Sequence, residues 1–197
     1  MKIIVKPLKK NGLSFGFDTS PVPTMRDISN WESIVREMLT FAYLNRPAYL
    51  ITVQPQEWSL VNFSPDAHET IRENVNGKPY FFYYQNACSA ELLENISVGD
   101  EDFKRALLWL ISAEKNEKSK IYEVIRAMDE SRRLFDFTPE VETEWLFAGF
   151  DYAETVYWYN PVFGIDEILQ KLSDSAQHFD IELDAMALEK TAHPPKT

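Results

Sequence analysis

Residues 140–163 constrain the fold of this 197-residue chain more than any other stretch. They hold two of the five tryptophans, three tyrosines, three phenylalanines and five carboxylates, with no Lys or Arg. Two runs rich in β-favouring residues, 143–150 and 154–159, flank a short Gly-Phe-Asp-Tyr segment, which predicts a β-hairpin. On strand alternation Trp145 and Phe147 share one face, as do Tyr157 and Tyr159, while Leu146, Val156 and Trp158 lie opposite. Large apolar groups on both sides require that protein cover at least one face. The carboxylates and an uncovered edge would then form a surface able to dock a partner.

Upstream, residues 3–5 and 13–17 read as two strands joined around Lys9, Lys10, Asn11 and Gly12, where Asn-Gly is a two-residue hairpin signal. Ser29 and Glu32 make a capping box for a first helix. Ile28, Trp31, Ile34, Val35, Met38, Leu39 and Ala42 give that helix one apolar face, and Pro47 ends it by Asn45. Residues 48–53 suit a buried strand, and 58–63 a strand hairpinned to it. Ser64, Pro65 and Asp66 read as the start of a helix running to Val75, with Asn76-Gly77 as its exit.

Residues 79–85 form a ring-laden strand and 87–95 a short helix. Asp100 caps a further helix through Phe103, Ala106, Leu107, Leu108, Trp109, Leu110 and Ile111, apolar on more than one side. Residues 114–120 are polar, and Ile121, Tyr122, Val124, Ile125 and Met128 continue as helix. Ile165, Ile168, Leu169 and Leu172 define a last amphipathic helix, and residues 179–183 suit an edge strand. The sum is a single α+β domain over 1–186, a mainly antiparallel sheet built from hairpins with about five helices packed against it, followed by a disordered tail over 187–197.

Function classes can be narrowed by what is missing. No Gly-rich phosphate loop, G-x-G-x-x-G, H-E-x-x-H or G-x-S-x-G occurs. Three histidines and one cysteine form no zinc spacing, so neither metal nor cofactor is expected. With Cys88 alone no internal disulfide can form. No apolar run approaches a membrane span or a signal-peptide core, which places the expected protein in the cytoplasm.

One nucleophile is a candidate. If Asn86 caps a helix, Cys88 lies in its first turn, where the dipole favours thiolate. His178, oriented by Asp180 or Asp184, would supply the base of a Cys-dependent hydrolase. Asn86-Ala87-Cys88 is similar over three residues to the nucleophile segment of papain-like ubiquitin hydrolases, although aromatic residues stand upstream where an oxyanion glutamine would be expected. The competing reading makes Cys88 a small buried apolar residue.

Net charge points elsewhere. The chain carries −11, and residues 141–197 alone hold 11 acids against three Lys or Arg. Such a field repels phosphate backbones and anionic membranes and attracts basic proteins. Aromatic strands bind nucleic acid only where a positive groove tracks the backbone, and Lys2, Lys6, Lys9 and Lys10 are too small a cluster for one. The leading expectation is therefore a non-enzymatic acidic binding protein that neutralises or holds a basic protein partner. Bacterial toxin-immunity proteins, antitoxins and nuclease inhibitors share this profile, and a nuclease-type toxin would be such a partner. Glu142, Glu144, Asp151 and Glu154 would steer it, with Tyr152, Trp158 and Tyr159 as anchors. An adaptor subunit of a larger assembly is the remaining alternative.

Overall fold

The computed structural model describes residues 2–8, 11–18, 23–52, 67–75, 78–95, 107–130, 142–149 and 155–185. Strand alternation decides its architecture. Leu13, Phe15, Leu50, Leu110, Leu146, Val156 and Trp158 point to one side of a sheet, and Tyr49, Ile51, Phe82, Tyr84, Ile111, Trp145 and Tyr159 to the other. Both sides are buried, so a helical layer is needed on each. The strands are β1 (Lys2–Pro7), β2 (Gly12–Phe17), β3 (Ala48–Thr52), β4 (Ala67–Val75), β5 (Lys78–Gln85), β6 (Leu107–Ser112), β7 (Trp145–Gly149), β8 (Thr155–Tyr159) and β9 (Glu182–Asp184). They form one nine-stranded sheet in the order β4-β5-β3-β6-β7-β8-β2-β1-β9. Every neighbouring pair is antiparallel except β1 with β9.

The helices are α1 (Met25–Tyr43), α2 (Ala90–Asn95), α3 (Lys118–Glu130) and α4 (Ile165–His178). Buried residues of α1, α2 and α4 pack on the first face, and Ile121, Val124 and Ile125 of α3 on the second. Four helices, not about five, occur among the described residues. None is long and apolar enough to cross a membrane.

Helix α1 buries the predicted face from Trp31 to Ala42 and adds Tyr43. Its capping box lies further upstream than Ser29: the Thr24 hydroxyl accepts from the Asp27 amide, and the Asp27 carboxylate accepts from the Thr24 amide at 2.8 Å. The Thr24 hydroxyl, donating to the same carboxylate at 2.6 Å, and then the Thr24 amide hold the Asp27 carboxyl below its ordinary range. At the other end Asn45 takes φ 60°, a left-handed exit ahead of Pro47.

Two predicted helices are strands. Ala67–Val75 pairs antiparallel with β5, and the register sets Val75 opposite Lys78. Asn76-Gly77, read as a helix exit, therefore joins two strands, as Asn-Gly commonly does. Leu107–Ser112 lies between β3 and β7. A strand covered on both faces is apolar throughout, like a buried helix, and periodicity cannot separate the two. The expected strand at 58–63, the helix starts at 64–66 and 100–106, and the tail 187–197 lie outside the described residues. Helix α2 begins at Ala90, where the Ser89 hydroxyl accepts from the Leu92 amide at 3.1 Å, so Ser89 and not Asn86 caps it.

Gly12 marks a close approach between β2 and β8. A Cβ there would stand 2.6 Å from the Trp158 carbonyl oxygen and 3.2 Å from the Tyr159 Cα, both backbone atoms. Gly12→Ala should therefore push the strands apart and cost about 1–3 kcal/mol in urea unfolding; wild-type stability would show that the pair has room.

Candidate functional site

The aromatic hairpin forms as expected, with β7 and β8 in register from Trp145 opposite Tyr159 to Gly149 opposite Thr155. It has no free edge, because β6 lies beyond β7 and β2 beyond β8. The rings are core. Trp145 stacks on Tyr159 at 4.3 Å and 8° on one face. Trp158 on the other meets Phe41 and Phe163 edge-on at 6.3 and 6.2 Å. Trp158, Tyr159 and Glu144 are buried, so the expected anchors Trp158 and Tyr159 and the steering acid Glu144 cannot meet a partner without unfolding the sheet. Glu142 is exposed. Asp151, Tyr152 and Glu154 lie outside the described residues.

Glu144 has a different task. It immediately precedes β7, at the end of the sheet where α1, β6 and β8 also terminate. Its Oε2 pairs with the guanidinium of Arg46. Its Oε1 accepts from the Trp158 indole N–H at 3.0 Å and the Val162 amide at 3.3 Å. Its own carbonyl accepts from the Ser112 amide at 3.0 Å. Arg46 also donates to the Ser112 hydroxyl at 3.0 Å and to the Ala42 carbonyl at the end of α1. The guanidinium lies 5.5 Å from the Tyr43 ring centre and 5.9 Å from that of Phe163. Both carboxylate oxygens are thus occupied by internal donors, which is what a buried charge requires. Tyr43 beside it donates to the Leu110 carbonyl at 2.9 Å. Burial, and then the Glu144 charge, push its phenol well above the ordinary range. Sequence reading missed this cluster because Arg46 and Glu144 are 98 positions apart. The available signal was an acid abutting an apolar run with no cation in its own segment.

Cys88 lies ahead of α2, in an isolated parallel bridge with Leu44. Its amide donates to the Arg46 carbonyl at 3.0 Å and its carbonyl accepts from Asn45 at 2.8 Å. The side chain is buried, and burial pushes the thiol up to about 12, with Arg46 opposing. The helix-dipole activation expected for it is absent, since the helix starts after it. His178 is exposed in the last turn of α4, edge-on to Phe179 at 4.9 Å. Among the described residues no group of three or more His, Cys, Asp or Glu could hold a metal ion.

Among the described residues, exposed acids are densest from α4 to β9. Asp166, Glu167, Asp174, Asp180 and Glu182 are exposed there and Asp184 is partly so. Lys171 is the lone Lys or Arg between residues 165 and 185, and it bonds Glu37 of α1 at 3.3 Å. No family model, curated protein or solved structure matches the chain.

Native Cys88 should label slowly with a thiol reagent at neutral pH and at the ordinary rate once unfolded. The unfolded thiol titrates near 9 and the native one at about 12, so the native state holds this proton longer. The stability this confers is complete below about pH 9 and lost as pH rises toward about 12. Urea unfolding of Cys88→Ala should show a shallower alkaline loss than wild type; equal slopes, or fast native labelling, would refute the buried neutral thiol.

Proposed function

We propose that the chain is an acidic protein-binding module that holds or neutralises a basic protein partner in the cytoplasm, in the manner of toxin-immunity proteins and inhibitors. The observation that carries this reading is the exposed carboxylate surface of α4 and β9, in a chain of net charge −11. Several cations are already spent internally: Lys2 on Asp184 and Glu182, Lys120 on Glu117, Lys171 on Glu37 and Arg46 on Glu144. A surface with such an excess of acids accelerates encounter with a cationic protein and disfavours acidic competitors. It suits occlusion of a cationic substrate groove, the feature that nucleases carry to hold phosphate.

The geometry asks for a different surface from the one anticipated in the hairpin. Of the expected steering acids described, Glu142 keeps access to solvent and Glu144 does not. The dense acids now lie on α4 and on the terminal strand of the sheet.

A panel of basic nucleases titrated with the protein at low and high ionic strength tests the reading. At least one should bind at low salt, weaken as salt rises and lose activity when bound. Failure of the whole panel to bind at low salt would sink it.

A further inference from the structure

Asn11 and Gly12 stand where the first hairpin meets the seam between β2 and β8. Asn11 is exposed, and among the described residues its carboxamide makes no hydrogen bond. Its carbonyl accepts from the Asn160 amide at 2.8 Å. Bonded and non-bonded pairs alternate along an antiparallel ladder, so Gly12, opposite Tyr159, turns its amide away from β8. On the other side the Leu8 amide donates to the Gly12 carbonyl at 3.0 Å, and no bond from the Gly12 amide to the Leu8 carbonyl answers it. An uncovered carboxamide thus precedes a backbone nitrogen that neither β8 nor Leu8 holds and that no side chain of its own shields. No other described asparagine is followed by glycine.

We propose that Asn11 is a self-modification site, whose conversion to isoaspartate loosens the seam between β2 and β8. Asparagine is chemically labile in this way wherever the next backbone nitrogen can reach its side chain. The Gly12 nitrogen gives its proton to solvent and bonds to Cγ of Asn11, and the Cγ–Nδ2 bond breaks with loss of ammonia. Water then opens the resulting succinimide ring at either carbonyl. One opening yields aspartate. The other yields isoaspartate, in which the main chain runs through Cβ and Cγ and the former main-chain carbonyl becomes a free carboxylate. One ammonia is lost and one water gained, with no redox step. Isoaspartate therefore puts an extra carbon in the chain directly ahead of Gly12. That residue already lies against β8, where a Cβ would stand 2.6 Å from the Trp158 carbonyl oxygen. The carbonyl that accepted from Asn160 also leaves the main chain. Asn160, at φ 46°, donates its side-chain amide to the Thr143 carbonyl at 3.3 Å, and two residues on the Val162 amide reaches Glu144. A change at Asn11 is thus felt at the end of the sheet that Arg46 and Glu144 close.

The test incubates the full, folded chain in warm, mildly alkaline buffer, then maps its peptides by mass spectrometry and by isoaspartyl-specific enzymatic methylation. Isoaspartate should accumulate at residue 11, and Asn11→Gln should block it. The isoaspartate-bearing fraction should exchange the Asn160 amide hydrogen about tenfold faster than the unconverted chain and unfold at lower urea. Asn11→Asp carries the added charge on an unaltered main chain and should keep the slow exchange. No conversion at residue 11 in the folded chain, whether or not the urea-unfolded chain converts, would overturn the site. Isoaspartate with unchanged exchange at Asn160 would overturn the loosening. Equally fast exchange in Asn11→Asp would overturn it too, because charge and not the lengthened main chain would then be the cause.

Discussion

A carboxylate buried in a protein must be satisfied on both oxygens or it destabilises whatever holds it. Glu144 meets that condition by drawing together segments remote in sequence: Arg46 after α1, the Trp158 indole on β8 and the Val162 amide ahead of α4. Ser112 at the end of β6 joins through Arg46 and through the Glu144 carbonyl. The same group therefore ties the exit from α1 to the start of β7 and to the chain that leaves β8 for α4. Phe163 follows from it, since it packs against Phe41 and Trp158 and lies beneath the guanidinium. The pair need not stabilise more than an apolar substitute would; its contribution is that few other arrangements of these segments satisfy it.

With both faces of the sheet covered there, Trp145, Trp158 and Tyr159 of the aromatic hairpin belong to the core. Its neighbours show the same logic. On β2 Gly12 and Ser14, which alternate with Leu13 and Phe15, stand opposite Tyr159 and Tyr157 of β8, so small residues face large rings. Among the described residues the exposed acids are densest outside this core, on α4 and about β9. The proposed binding role and the fold are thus separable: rings hold the sheet, and acids on its last elements face the solvent.

Sequence pattern revealed those elements whose burial is one-sided or whose turns are chemically distinctive. The first hairpin (though Gly12, read as part of its turn, is the first residue of β2), the single apolar face of α1, the hairpin of β7 and β8 and the amphipathic α4 were all legible. β6 was not, because Leu107–Ile111 has no polar side to reveal a period of two. β4 was not, because the apparent cap at 64–66 outweighed the hairpin meaning of Asn76-Gly77. The acidic candidates were legible as charge and hardly as position: only its place against the apolar run from Trp145 sets Glu144, which is buried, apart from Glu142, which is exposed. That difference is made by Arg46, and a long-range ion pair leaves no periodic trace.

The central claim is that Arg46 and Glu144 act as one unit closing this end of the sheet. A double-mutant cycle by urea unfolding at neutral pH measures it directly. Arg46→Ala should cost about 3 kcal/mol, since it leaves the buried Glu144 carboxylate without its cation, and Glu144→Ala about 2 kcal/mol, since Arg46 is partly exposed. The double variant should cost less than their sum by at least about 1.5 kcal/mol. Additivity within about 0.5 kcal/mol would show two independent groups and contradict the account.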